Sequence, residues 1–321
     1  MPGMCSTISV ALSWASTQLS AAGSVTPVLD AEVILAHALQ RNRAWLHAHP
    51  EHHLTESQIQ GFVTLVMRRC VHEPVAYLVG HKEFFGLDFV ITPAVLVPRP
   101  ETELLVEIVL EHVTDRGEAL WVADVGTGSG VLAVTLAVHL PRAQVVAIDI
   151  SAPALLLAQH NAQRHGVSDR ILFLQADLLL PVRIPFDIVL ANPPYLRSDE
   201  LRAISSTTGA DKLRDGHRLP ACRGKQEKSP SEEVSRITLP LAWEPQIALD
   251  GGVDGLSVIR RLLAMVPRHL RPDGLFAMEL GPVQARAISE LARASFPHAE
   301  VSLRRDYAGL ERALVVIVAR R

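Results

Sequence analysis

Asn192-Pro193-Pro194-Tyr195 is the stretch whose residue types point most directly to chemistry. A planar NH2 group, such as a carboxamide or an adenine carries, is a poor nucleophile because its nitrogen lone pair is delocalised into the neighbouring π-system. A site that methylates such a group should hold both N–H bonds on acceptors. The Asn192 side-chain oxygen is one candidate acceptor, and a backbone carbonyl of Pro193-Pro194 is another, since prolines stiffen the turn and bring no competing N–H. Tyr195 can stack on the flat group and exclude water. The competing reading is a strand-ending turn with an Asx hydrogen bond and an aromatic plug. Before the tetrapeptide runs Phe186-Asp187-Ile188-Val189-Leu190-Ala191, short and nearly uncharged, as a strand covered on both faces of a parallel sheet should be. Ligands in such sheets bind at the carboxyl ends of strands, where the tetrapeptide falls.

A second chemical stretch is Asp124-Val125-Gly126-Thr127-Gly128-Ser129-Gly130, preceded by Leu120-Trp121-Val122-Ala123 and followed by the apolar-periodic Val131, Leu132, Val134, Leu136 and Val138. It reads as strand, glycine-rich turn and helix. Glycine at alternate positions lets backbone approach a ligand and permits positive φ. The third glycine of a Gly-x-Gly-x-x-Gly dinucleotide fingerprint would fall at Val131, which argues against a dehydrogenase. The following run Gln144-Val145-Val146-Ala147-Ile148-Asp149 ends in a carboxylate that suits two ribose hydroxyls. Asp149 also fits the role of N-cap to a helix starting near Pro153.

The elements that must position these groups follow from periodicity. Residues 6 to 80 carry helical spacing: Ile8, Leu12, Ala15 and Leu19 on one face, then Ala31, Ile34, Leu35 and Ala38 on another, opened by Thr26 as cap and Pro27 as first-turn proline. A third helix opens on Thr55 and Gln58 as a capping box and turns Ile59, Phe62, Val63, Val66 and Cys70 inward. His47, His49, His52 and His53 gather around Pro50 in what reads as a polar loop, without a carboxylate or Cys partner to complete a metal site. Residues 81 to 98 read as a β-hairpin connector. Arg99-Pro100-Glu101-Thr102-Glu103 then opens a helix with Leu104, Leu105, Ile108 and Val109 inward. From 119 onward, strand patterns at 119–125, 144–149, 171–177, 186–191, 275–280, 299–305 and 313–319 alternate with helices near 129–140 and 153–165, the mark of a doubly wound parallel sheet. The last two strands are joined by a segment too short for a crossover and must pair antiparallel. The chain thus divides into a helical domain (1–80), the connector (81–98) and an α/β domain (99–321).

Composition narrows the classes. A chain of 321 residues, 48% hydrophobic and 20% charged, can bury a large core and form two domains. A net charge of −3 gives no overall electrostatic footprint for nucleic acid. Three widely separated cysteines, Cys5, Cys70 and Cys222, favour a reducing compartment and show no metal spacing. Without a basic n-region at the start or an apolar run long enough to span a bilayer, the expected location is cytoplasmic, with no membrane partner.

Together these motifs resemble the S-adenosylmethionine-dependent methyltransferases, and the fuller pattern resembles the HemK/PrmC protein glutamine N5-methyltransferases. The resemblance rests on Asp124 to Gly130 and Asn192 to Tyr195, with Phe84-Phe85-Gly86, Val95 to Glu103, Glu244-Pro245, Ala248 to Gly252, Asp254-Gly255-Leu256, Glu279-Leu280-Gly281 with Gln284, and Asp306 to Gly309 with Arg312. It implies the class I methyltransferase fold, a Rossmann-like seven-stranded sheet with one reversed strand behind an N-terminal helical bundle. It implies S-adenosylmethionine as cofactor, held by Gly126, Thr127, Gly128, Ser129, Gly130, Asp149, Asp177, Leu178 and Asn192. Asp177 would take the exocyclic amine of adenine and Leu178 its ring face. It implies Asn192, Pro193, Pro194 and Tyr195 as the catalytic group, and the glutamine of the Gly-Gly-Gln motif of class I peptide chain release factors as substrate, with no direct nucleic-acid partner. The helical domain would help engage the protein substrate, or serve as scaffold alone. A ribosomal-protein glutamine methyltransferase, an adenine N6-methyltransferase and an inactive binding scaffold are the other readings.

The resemblance is interrupted between Tyr195 and Glu244. Residues 205 to 236 hold many charges and few large apolar side chains, so an insertion at about 198–236 is expected to be mobile. It reads as a tolerated surface insertion, or as a lid that orders when the partner docks.

Overall fold

The computed structural model describes residues 6–208 and 239–319, which fall into two compact units: residues 6–80 with 202–208 and 239–243, and residues 81–201 with 244–319. In the first unit, α1 (Ile8–Ala21), α2 (Pro27–Leu39), α3 (Arg43–Ala48), α4 (Glu56–Cys70) and α5 (Val75–Val79) surround one core. α1 buries Ile8, Ala11, Ala15 and Leu19, the 3–4 spacing of a single helix face. α4 opens on the predicted capping box: Gln58 N donates to Thr55 Oγ1 at 3.3 Å and Thr55 N to Gln58 Oε1 at 2.9 Å.

Two local expectations fail here for physical reasons. Thr26 makes no capping bond to α2; its hydroxyl donates instead to Asp30 Oδ1 at 3.0 Å. Asp30 is buried, and it gathers Ser24 Oγ at 2.7 Å and Arg69 Nε at 2.8 Å as well. A buried carboxylate needs every donor in reach. The stretch read as a polar histidine loop begins with α3, which Asn42 caps by accepting Trp45 N at 2.8 Å; His49 stacks on the Trp45 ring at 4.5 Å. Buried Leu46 gives this short helix its inward face.

In the second unit, β1 (His81–Phe84) and β2 (Leu87–Val90) form an antiparallel hairpin. Phe85 and Gly86 both have positive φ (50° and 77°), the type I′ geometry that matches strand twist in a two-residue loop. Glu103 Oε1 accepts the Phe85 N–H at 2.9 Å and fixes the turn to the start of α6 (Glu103–His112). The remaining strands and α-helices described along the chain are β3 (Trp121–Val125), α7 (Val131–His139), β4 (Gln144–Asp149), α8 (Ala152–Arg164), β5 (Ile171–Gln175), β6 (Phe186–Ala191), α9 (Ser198–Thr208), α10 (Ser257–Met265), β7 (Leu270–Glu279), α11 (Ala285–Ser295), β8 (Ala299–Arg305) and β9 (Glu311–Val318), of which α9 belongs to the first unit from Arg202 onward.

The sheet has seven strands in the order β5-β4-β3-β6-β7-β9-β8, with β9 antiparallel to both neighbours. This is the class I methyltransferase arrangement. The chain builds outward from β3 to β4 and β5, then returns to lay β6 on the other side of β3. That reversal opens a crevice at the carboxyl ends of β3, β4 and β6. β3, β4 and β6 are buried along nearly their whole length, and α7 is buried from Val131 to Ala137, so neither needs a polar face there.

The region read as an insertion departs from expectation at its start. Ser198–Thr208 is helical: Asp199 and Glu200 sit in the first turn, Glu200 Oε2 accepts Arg197 N at 3.0 Å, and Leu201 is buried. These four residues supply a helix start and an anchor that the low apolar content further on had obscured. Residues 209–236 of that insertion, and Cys222 within it, lie outside the described residues. No helix among the described residues is long and apolar enough to cross a membrane.

Candidate active site

The glycine loop between β3 and α7 is pinned by backbone and by two carboxylates. Gly126 N and Thr127 N both donate to Ile148 O, at 2.8 and 2.9 Å. Gly128 N donates to Asp149 Oδ2 at 2.9 Å, and Ser151 N to Asp149 Oδ1 at 2.9 Å. Asp149 therefore ties the end of β4 to the loop. The N-cap of α8 is Ser151, whose Oγ accepts Ala154 N at 3.3 Å, which disposes of the capping reading of Asp149. Beneath the loop, Asp124 Oδ2 accepts Thr127 Oγ1 at 2.6 Å and Ala133 N at 3.1 Å, while Oδ1 has no partner among the described residues. Burial pushes the Asp124 carboxyl up to about 6 against the pull of those two donors, and Asp149 nearby raises it further.

One buried side chain outside the motif completes the frame. Asn161 of α8 accepts Val90 N at 2.9 Å and donates to Val90 O at 3.0 Å and Ser129 O at 2.9 Å. It joins the hairpin, the helix and the glycine loop through three backbone groups.

A cavity of about 540 Å³ opens over the crevice, within the size range of small-molecule sites. Gly126, Thr127, Gly128, Ser129, Asp149, Asp177, Leu178, Asn192 and Pro194 line it. Gly126 and Gly128 have φ of 78° and 55°, and a Cβ at either would come no nearer than 3.9 Å to other atoms, so the backbone faces open space. Gly130 does not line the cavity. A Cβ there would stand 3.0 Å from Ala158 Cβ, so Gly130 is a packing glycine that seats α7 against α8. Pro193 and Tyr195 also lie off the lining, Pro193 buried and Tyr195 half-buried. At the far wall Asp177 Oδ2 is ion-paired with Arg261 of α10 at 2.6 Å, and both residues border the cavity. Leu178 has φ of 54°, a left-handed conformation that costs a non-glycine residue about 1 kcal/mol.

The end of β6 meets the end of β7. Asn192 Nδ2 donates to Glu279 Oε2 at 2.9 Å and to Thr102 Oγ1 at 3.1 Å, and Thr102 Oγ1 donates to the same Glu279 oxygen at 2.5 Å. Burial raises the Glu279 carboxyl to about 7, although Thr102, Arg312 and Arg99 pull it down. Burial and the nearby Glu279 carboxyl raise the Tyr195 phenol to about 12, so it stays protonated. The Tyr195 carbonyl accepts Gln284 Nε2 at 3.0 Å, and that amide also reaches Asp254 O at 3.3 Å. Arg99 is ion-paired with buried Glu244, which also accepts Val97 N at 3.2 Å. This explains the Pro98 to Glu103 segment: Arg99 anchors it to Glu244, and Thr102 reaches Glu279.

Sequence spacing did not single out Glu279, Thr102, Asn161 or Arg261 as chemical groups. The signal for the first two was present only as parts of longer stretches, Glu279-Leu280-Gly281 and Val95 to Glu103. No local pattern marks Asn161 or Arg261.

Comparison with known proteins bears on the whole chain. The model described as PrmC N-terminal domain matches residues 10–80, and that described as Methyltransferase small domain matches residues 100–209. The release factor glutamine methyltransferase of Moorella thermoacetica is 39% identical over 310 residues, covering 96% of this chain and 98% of that protein. That of Koribacter versatilis is 39% identical, covering 89% and 91%. Among solved structures, the hMettl16 catalytic domain aligns with a TM-score of 0.51 at 16% identity, covering 82% of this chain and 83% of that one, which bears on the fold alone. Such identity across nearly the full length of both chains, on a fold whose crevice carries the Asp124 loop and Asn192, means that the chain belongs to the release factor glutamine methyltransferase family.

Proposed function

We propose that this protein transfers a methyl group from S-adenosylmethionine to the side-chain nitrogen of the glutamine in the Gly-Gly-Gln motif of class I peptide chain release factors. The observation that carries this reading is the state of the Asn192 amide. Its nitrogen is committed to Glu279 and Thr102, so its oxygen is left as an acceptor at the border of the cavity. An acceptor there is what a carboxamide NH2 requires. The Pro193 carbonyl is assigned the second N–H, and Tyr195 the flat face of the substrate amide.

The donor set suits the cofactor. Glycine backbone facing open space at Gly126 and Gly128 is assigned to its amino-acid end, the Asp149 carboxylate to its ribose, and Asp177 with Leu178 to its adenine. S-adenosylmethionine supplies, when bound, a methyl group activated by a sulfonium. The work of the chain is orientation: Asn192 and Pro193 hold the amide nitrogen so that its remaining freedom is motion along the transfer axis. The same dipoles, fixed before reaction, meet the charge that develops on the amide nitrogen as the methyl group replaces one of its two protons, which passes to solvent.

The test is transfer of labelled methyl to purified release factor, to the same factor with Gln→Ala in its Gly-Gly-Gln tip, and by Asn192→Ala enzyme. Label is expected on the natural factor alone, with Asn192→Ala reducing turnover by ~100-fold or more. Label that persists on the altered factor would place the acceptor elsewhere. No label on the natural factor, with cofactor still bound, would exclude this substrate.

A further inference from the structure

A carboxamide has nearly the same shape whichever way round it sits, and only its neighbours decide which end faces the substrate. At Asn192 the neighbours on one side are Glu279 Oε2 at 2.9 Å and Thr102 Oγ1 at 3.1 Å. Thr102 spends its own proton on the same Glu279 oxygen at 2.5 Å, so toward Asn192 it can only accept. Two acceptors therefore face one end of the amide, and that end must be the NH2. Turned the other way, Asn192 would set its oxygen against a buried carboxylate and present donors to an acceptor NH2 that itself only donates.

The three residues come from three separate places: the turn before α6, the end of β6 and the end of β7. Thr102 and Asn192 line the cavity, whereas Glu279 does not. We propose that Glu279, with Thr102, is the positioning residue of this site: it acts through Asn192, fixing the amide so that Oδ1 and never Nδ2 is offered to the nitrogen to be methylated. This rests on the proposed acceptor being a planar NH2 group.

The ionisation of Glu279 then reaches the reaction without Glu279 touching the substrate. Burial holds this carboxyl near 7. The charged groups that face it are Arg312 of β9 and Arg99 and Glu101 of the segment before α6, with the Tyr195 phenol beyond β6; the two arginines favour its anion and Glu101 opposes it. The anion accepts both donors without ambiguity. The protonated acid carries a hydrogen of its own that competes for Thr102 or turns toward Asn192, which loosens the selection of the amide orientation. Turnover is therefore expected to rise as pH climbs through about 7.

The experiment combines spectroscopy on the full chain with kinetics. In the protein alone, the side-chain NH2 resonances of Asn192, assigned by their loss in Asn192→Ala, are expected to shift with an apparent pKa near 7 in the natural protein and to lose that shift in Glu279→Gln. In methyl transfer, Glu279→Met, which keeps the volume and removes the acceptor, is expected to lose ~100-fold in kcat with KM for the cofactor unchanged. Glu279→Gln retains an acceptor oxygen and is expected to recover to within about tenfold of the natural enzyme, with a flat pH profile across 6 to 8. Asn192 resonances that ignore pH, or that titrate equally in Glu279→Gln, would overturn the proposal whatever the acceptor is. So would a Glu279→Gln enzyme that keeps the natural pH profile. Absence of transfer by the natural enzyme to release factor would instead refute the substrate assignment, and the resonance titration would still decide the role of Glu279.

Discussion

Burial moves the Asp124 carboxyl to about 6 and the Glu279 carboxyl to about 7, both above the values of 3.8 and 4.5 expected in the unfolded chain. The folded protein therefore binds these two protons more tightly than the unfolded one. By linkage, the stability they contribute is fully present below about pH 4 and is lost as pH rises through 6 and 7. For Glu279 the difference is worth about 3 kcal/mol. Glu279→Gln cannot ionise, so its melting temperature, followed from pH 5 to 8 by calorimetry, is expected to fall less than that of the natural protein. An equal fall in both would show that Glu279 does not titrate in this range. At this scale the sequence disclosed the groups with local spacing and hid those without it. Asn192 follows an apolar run and Asp149 ends one, so strand patterning placed both. Thr102 and Glu279 lie 177 positions apart and meet only through the sheet, so no window along the chain brings them together.

Elements are where small changes of shape should register. A Cβ at Gly130 would stand 3.0 Å from Ala158 Cβ and 3.1 Å from its Cα, at a φ of 83° that only glycine accepts freely. Gly130→Ala is expected to cost about 2 kcal/mol, from strain in the turn and displacement of α7 from α8. Adding Ala158→Gly should recover part of that loss, because it removes the contact with the Ala158 Cβ and leaves the 3.1 Å approach to the Cα and the φ strain; equal melting temperatures for single and double variants would refute the contact. Asn161→Ala strips three partners from Val90 and Ser129 at once. A loss of about 3 kcal/mol and weaker cofactor binding are expected, read by chemical denaturation and by titration calorimetry. Periodicity disclosed α1 and α4 because their apolar faces repeat every three to four residues. It missed α3, which is too short to repeat, and the start of α9, whose only buried anchor among its first residues is Leu201. It assigned Thr26 to a cap because capping preferences describe isolated helix ends, and the buried Asp30 outbid the helix for its hydroxyl.

Taken whole, the molecule keeps the cavity over the crevice inside the second unit, since every residue lining it belongs to 81–201 or 244–321. Lesions in the first unit should leave cofactor affinity alone. Arg69→Ala strands the buried Asp30 carboxylate and is expected to cost about 3 kcal/mol in stability, with the dissociation constant of S-adenosylmethionine unchanged. Weakened cofactor binding would overturn the assignment of the cofactor to this cavity. The doubly wound sheet and the antiparallel pairing of its last two strands were legible, because strand and helix patterns alternate and the segment joining the last pair is too short for a crossover, whereas the strand order emerges only from the fold. What that winding costs is time. The hydrogen bond that closes the group around Asn192 joins Thr102 to Glu279 across 177 residues. A ribosome adding 5–20 residues per second needs roughly 9 to 35 s to travel between them. Through that interval a growing chain already holds the glycine loop, and later Asn192, with no carboxylate behind the amide. Methyl transfer should thus be among the last properties the nascent protein acquires, and a chain cut short before β7 should lack it even where the glycine loop has folded.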